Sequence, residues 1–124
     1  MSEHAEQVAL FRWAQLQAGK WPELRWMYAI PNGGARHVAV AAKLKAEGVK
    51  PGIPDICLPV PRGGFGALYI ELKGNGGRVS QAQRAALDAL VGLGNSGAVA
   101  FGWEQATKCI QAYLQAPLVP VATA

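Results

Sequence analysis

The stretch GIPDICLPVPRGGFGALYIELKG, Gly52 to Gly74, decides how this chain is read. A Gly-Ile-Pro-Asp turn ends at Asp55 and feeds the apolar run Ile56-Cys57-Leu58. Beyond a loop rich in proline and glycine, the run Leu68-Tyr69-Ile70-Glu71-Leu72-Lys73 carries two charges inside an apolar segment. Charged side chains are rarely buried unless they are paired or bind metal. The stretch therefore predicts two neighbouring strands whose charges have a chemical purpose. Alternate strand residues share a face, so Tyr69, Glu71 and Lys73 point one way and Leu68, Ile70 and Leu72 the other. Glu71 and Lys73 then stand roughly 6.5–7 Å apart at the backbone, and Asp55 can join them from the adjacent strand. Two carboxylates with a main-chain carbonyl, that of Leu72, form a hard oxygen site suited to Mg²⁺ or Mn²⁺. Such an ion polarises a phosphodiester and acidifies water, while a lysine beside it orients the attacking water and offsets transition-state charge. Taken alone, Glu71-x-Lys73 reads as a surface salt bridge on a half-exposed strand. The Gly-Ile-Pro-Asp turn upstream is what favours a site.

On either side of this stretch the pattern alternates between helix and strand. Ser2 to Ala18 contains no glycine or proline and repeats apolar residues at helical spacing, with Gly19 as the stop. Arg25 to Pro31 reads as a strand entering the turn Pro31-Asn32-Gly33-Gly34, and Arg36 to Glu47 as a helix closed by Gly48. Ile53–Pro59 and Gly66–Lys73 are the two central strands. Ser80 with Gln83 fits a capping box that opens a helix to about Leu93. Gly97 to Gly102 reads as a strand and Trp103 to Gln115 as a last helix. The order predicts an α/β fold, a small sheet covered on both faces, in one domain over residues 1–115 with 116–124 as a flexible tail.

Composition narrows the function classes. With 124 residues, 51% hydrophobic and 16% charged, the chain is long enough for one core and too apolar to be disordered. No apolar run reaches the ~18 residues of a membrane span, and the polar, acidic start MSEHAEQ is no signal peptide. A cytoplasmic protein is expected. The formal net charge of +4 leans towards a polyanionic partner. Cys57 and Cys109 lie far apart in apolar surroundings and read as core thiols. The four tryptophans, Trp13, Trp21, Trp26 and Trp103, read as core residues. Gly92 to Gly97 matches G-x-G-x-x-G, but it ends a helix and precedes a strand, the reverse of a dinucleotide fingerprint. No phosphate-binding P-loop is present, and His4 and His37 assemble no catalytic set.

Several segments together resemble one family. Glu3-His4-Ala5-Glu6-Gln7, Pro31-Asn32-Gly33-Gly34-Ala35-Arg36, Leu44-Lys45-Ala46-Glu47-Gly48, Gly52-Ile53-Pro54-Asp55, Glu71-Leu72-Lys73 and Ser80-Gln81-Ala82-Gln83 occur in order. They are similar to the virus-type replication-repair nuclease (VRR-NUC) domains of the PD-(D/E)xK superfamily, in particular to stand-alone phage-type members. The resemblance implies a restriction-endonuclease-like core, a central mixed sheet flanked by helices. It implies metal ligation of Mg²⁺ or Mn²⁺ by Asp55, Glu71 and the Leu72 carbonyl, with Lys73 as the catalytic lysine and Gln83 beside it. An acid of the first helix would complete the site, Glu3 rather than Glu6, because Glu3 precedes Gln7 by four positions as in the family. Asn32, Gly33, Arg36, Lys43, Lys45 and Lys50 would follow the DNA backbone, although a solvated helix face explains those lysines as well. The implied protein is a homodimeric DNA endonuclease that cuts branched or four-way (Holliday) junctions in a phage or bacterial host cytoplasm, with no membrane partner. The alternative is a catalytically silent nuclease-fold subunit for DNA binding or assembly. Intact Asp55, Glu71 and Lys73 argue against it.

Overall fold

The computed structural model describes residues 1–31 and 37–118. A four-stranded sheet is ordered β1 (Tyr28–Ala29), β2 (Ile56–Leu58), β3 (Leu68–Lys73), β4 (Ser96–Phe101). β1 and β2 pair antiparallel, as do β2 and β3, whereas β3 and β4 pair in parallel. The helices are α1 (Glu3–Gln17), α2 (Val38–Ala46), α3 (Gln81–Gly92) and α4 (Trp103–Gln115).

Alternation on β3 divides the molecule. Leu68, Ile70 and Leu72 enter the core with Ile56 and Leu58 of β2, Leu10 and Ala14 of α1, and Ala106, Ile110 and Leu114 of α4. The opposite face carries Tyr69, Glu71 and Lys73, and α3 packs over its β4 end. Gly97 makes that approach possible, because a Cβ there would come within 2.8 Å of Leu87 Cδ1 and Val91 Cγ2. The parallel β3–β4 crossover is made by α3, whose start is fixed by Ser80. Its hydroxyl accepts the Gln83 N–H while the Gln83 side chain accepts the Ser80 N–H, which is the expected capping box.

Three expectations need correction. The strand foreseen over Arg25–Pro31 is a 3₁₀ turn, Pro22–Trp26, followed by the two residues of β1. Pro22 presets the φ of the turn's first residue, and Met27 N–H bonds back to Leu24 O, which spends the donor a ladder would have used. Trp26 consequently stands 71% exposed and is not a core residue, whereas Trp13, Trp21 and Trp103 pack against the core. The central strands are also shorter than expected, since Pro54 and Pro59 limit β2 to Ile56–Leu58. Asn32, Gly33 and Arg36 lie outside the described residues. In the C-terminal segment, Pro117 O accepts the Gly63 N–H, and residues 119–124 lie outside the described residues. Among the described residues no helix is long and apolar enough to cross a membrane.

The turn before Asp55 rests on α3. Gly52 has φ +79, and a Cβ on it would lie 3.0 Å from the Ala82 carbonyl carbon. Gly52→Ala should therefore cost on the order of 2 kcal/mol, combining left-handed strain with a backbone clash. Gly76→Ala, at φ +78 with open space around it, should cost only about 1 kcal/mol for the conformation. Denaturant unfolding of the two variants measures the difference.

Candidate active site

The site is built by strand register. Ile56 faces Ile70 and Cys57 faces Tyr69; one step further, Asp55 stands opposite Glu71. Ile30 N–H donates to Asp55 O at 2.7 Å and fixes the backbone there. Asp55 Oδ2 accepts the Leu72 N–H at 2.7 Å, so this carboxylate closes the ladder where β2 has ended. Successive carbonyls alternate along a strand. Lys73 O accepts from Gly102 N on the β4 side, and Leu72 O accordingly faces the Asp55 side.

Glu71 is only 1% exposed, and neither carboxylate oxygen has a hydrogen-bond partner among the described residues. Its nearest cation is Lys73, with Nζ 3.5 Å from Oε1. Lys73 is itself buried and donates to Gln83 Oε1 at 2.8 Å. The same oxygen accepts the Ser80 N–H at 2.9 Å. Gln83 thus both caps α3 and tethers the lysine. Burial first, and the facing Asp55 carboxylate second, push the Glu71 carboxyl up to about 7, with Lys73 pulling the other way.

The acids of α1 take different places. Glu3 is exposed, but its main-chain nitrogen would be 3.1 Å from a Cβ on Gly74, so the start of α1 lies against the residue after Lys73. Glu6 is buried. Its Oε1 accepts the Trp103 N–H at 3.3 Å, and Oε2 lies 3.4 Å from where a Gly102 Cβ would stand. It serves as the cap that Gly102 cannot provide for α4. The trace of this role in the sequence is a helix opening on Gly-Trp without Ser, Thr, Asp or Asn at its N-cap. Lys43, Lys45 and Lys50 are exposed, on α2 and just after it.

Asp55, Glu71, Lys73 and Gln83 therefore lie together. The VRR-NUC domain family model matches residues 1–102.

The chain belongs to the VRR-NUC family.

A solved structure titled "VRR_NUC domain protein" is similar over 100% of this chain and 98% of its own, with 27% identity and a TM-score of 0.83. No curated protein matches. The VRR-NUC assignment and the mixed sheet flanked by helices agree with the expected fold, and the family implies a nuclease function with DNA as substrate.

The residues fit a divalent cation through a mixed donor set. Among the described residues no three His, Cys, Asp or Glu side chains form a metal cluster. Two carboxylates and a carbonyl suit a hard ion nevertheless, and the two buried oxygens of Glu71, which accept no hydrogen bond among the described residues, are acceptors that an ion would satisfy.

The raised Glu71 pKa links to stability. Between about 4.5 and 7 the folded chain keeps a proton that the unfolded chain has lost. Metal-free stability should therefore fall as pH rises through this window, by at most about 3 kcal/mol from this group. Glu71→Gln, which cannot ionise, should lose that slope in denaturant titrations between pH 4.5 and 7.5 with a chelator present. An unchanged slope would refute the assignment.

Proposed function

We propose that this chain is a Mg²⁺- or Mn²⁺-dependent DNA endonuclease that acts on branched DNA, including four-way junctions, as a homodimer. The observation that carries the reading is Glu71, a buried carboxylate without a hydrogen-bond partner, set opposite Asp55 and beside a tethered lysine. Asp55, Glu71 and Leu72 O would hold the ion, which supplies Lewis acidity to the phosphodiester and lowers the pKa of water. The protein's own groups do the positioning. The Leu72 N–H fixes Asp55, and Gln83 fixes the Lys73 ammonium at a point where it can orient a water and donate to a phosphate oxygen as negative charge develops. Glu3, at the end of β3, would reach the site from its rim. Lys43, Lys45 and Lys50 would contact phosphates, so affinity should fall steeply with salt.

The homodimer is supported by α2. Its sequence, VAVAAKLKA, is apolar except for two lysines in the last turn, yet none of its residues is buried. A helix apolar on most sides is stable when something covers it. A second copy related by a two-fold axis would cover both helices at once and present two sites to the two strands of a junction.

Two experiments test these readings. Asp55→Asn, Glu71→Gln and Lys73→Met should each reduce cleavage of a four-way junction in Mg²⁺ or Mn²⁺ by about 10²-fold or more, with circular dichroism unchanged. Asn at 55 keeps an acceptor for Leu72 N–H, so it separates chemistry from folding. A wild-type chain that binds but cuts no DNA would instead identify a silent subunit. Light scattering should give a dimeric mass for wild type and a monomeric mass for Val38→Glu/Val40→Glu; a monomeric wild type would remove the dimer.

A further inference from the structure

The face that carries Asp55 and Glu71 continues into a second feature that metal binding does not use. Tyr28 of β1 pairs with Cys57, and Cys57 pairs with Tyr69, so the three form one row across three strands. Strand alternation places that row on the Asp55–Glu71 face, one pleat from Glu71, about 7 Å along β3. Cys57 stands between the two tyrosines in this row. Cys57 and then burial raise the Tyr28 phenol, and burial and then Cys57 raise that of Tyr69. Cys57 is 2% exposed although Tyr28, its neighbour on the sheet edge, is 48% exposed. Among the described residues no helix covers the β1–β2 half of this face, because α3 packs on β3 and β4. Among the described residues the result is an aromatic floor, exposed at Tyr28, one pleat from the carboxylates.

We propose that Tyr28, with Tyr69 beside it, is a stacking subsite for an unpaired nucleobase next to the phosphate held at Asp55 and Glu71. The proposal rests on the nuclease reading and specifies its substrate as DNA with an unstacked nucleotide at the cut. Three features favour a base as occupant. The floor is continuous with the site where the backbone of the same strand would lie. Stacking needs only a π-face and tolerates any base. A chain of net charge +4 draws in the polyanion that carries it. A duplex keeps its bases stacked on one another and offers none to the floor, so the subsite distinguishes branched or frayed DNA from linear duplex without reading sequence.

The test uses the full chain with Ca²⁺ in place of the catalytic metal, and fluorescence anisotropy of a labelled single strand and of the matching duplex. Tyr28 lies on an edge strand and is half exposed, so Tyr28→Leu should fold. It should weaken single-strand binding by about 5- to 100-fold and leave duplex binding unchanged, while Tyr28→Phe keeps the ring and the affinity. With the wild-type protein, a strand of abasic sites should bind as weakly as the normal strand binds Tyr28→Leu, a comparison that needs no variant to fold. Equal single-strand affinity in Tyr28→Leu and wild type, an equal loss in Tyr28→Phe, or a parallel loss on duplex would overturn the subsite. A wild type that cuts DNA while Tyr28→Leu binds normally removes the subsite alone; one that binds through Tyr28 but cuts nothing removes the nuclease reading alone.

Discussion

A buried carboxylate that accepts no hydrogen bond among the described residues is the constraint around which this fold is arranged. Glu71 sits within β3, the strand with one antiparallel and one parallel neighbour, where hydrocarbon would be cheaper by several kcal/mol. Its neighbours are organised to tolerate it. Lys73 approaches but stops at 3.5 Å, because its ammonium is committed to Gln83. Asp55, which could have relieved the site by pointing elsewhere, is held opposite by the Leu72 N–H. The fold thus maintains an unfavourable arrangement of like charges, as expected where a cation completes the set.

Helix capping and the candidate site share an atom here. Gln83 Oε1 accepts one hydrogen bond from the Ser80 N–H of the α3 cap and one from the Lys73 ammonium. Gly52, against Ala82, ties the Asp55 turn to the same first turn of α3. The start of α3 therefore sets the position of both halves of the site, and Gly102 ties the end of β3 to the start of α4 and to Glu6. Local helix termini, more than loops, fix the distances between Asp55, Glu71 and Lys73.

Features that depend on local chemistry were legible in the sequence. The Gly-Ile-Pro-Asp turn, the alternation of Tyr69, Glu71 and Lys73 against Leu68, Ile70 and Leu72, and the Ser80–Gln83 box each state their geometry within a few residues. What tertiary contacts decide was not legible. The burial of Glu6 depends on α4, 97 residues away, and an acid near a helix start reads as solvated without that partner. Trp26 looked like core because aromatic residues usually are, but Pro22 winds the chain into a 3₁₀ turn that leaves the indole outside. The Tyr28–Cys57–Tyr69 row needs the register of three strands, which no single segment contains. The exposure of α2 is equally silent, since its composition predicts burial.

The central claim is that Glu71 and Asp55 are kept together to hold a divalent cation. Calorimetric titration of Mn²⁺ into the protein at pH 6, repeated in buffers of different ionisation enthalpy, tests it most directly. With the Glu71 carboxyl raised to about 7, it is mostly protonated at that pH and must release its proton to bind metal. The account predicts saturable Mn²⁺ binding accompanied by release of nearly one proton, with the release absent in Glu71→Gln. Binding that releases no proton, or that survives unchanged in Glu71→Gln, would contradict it.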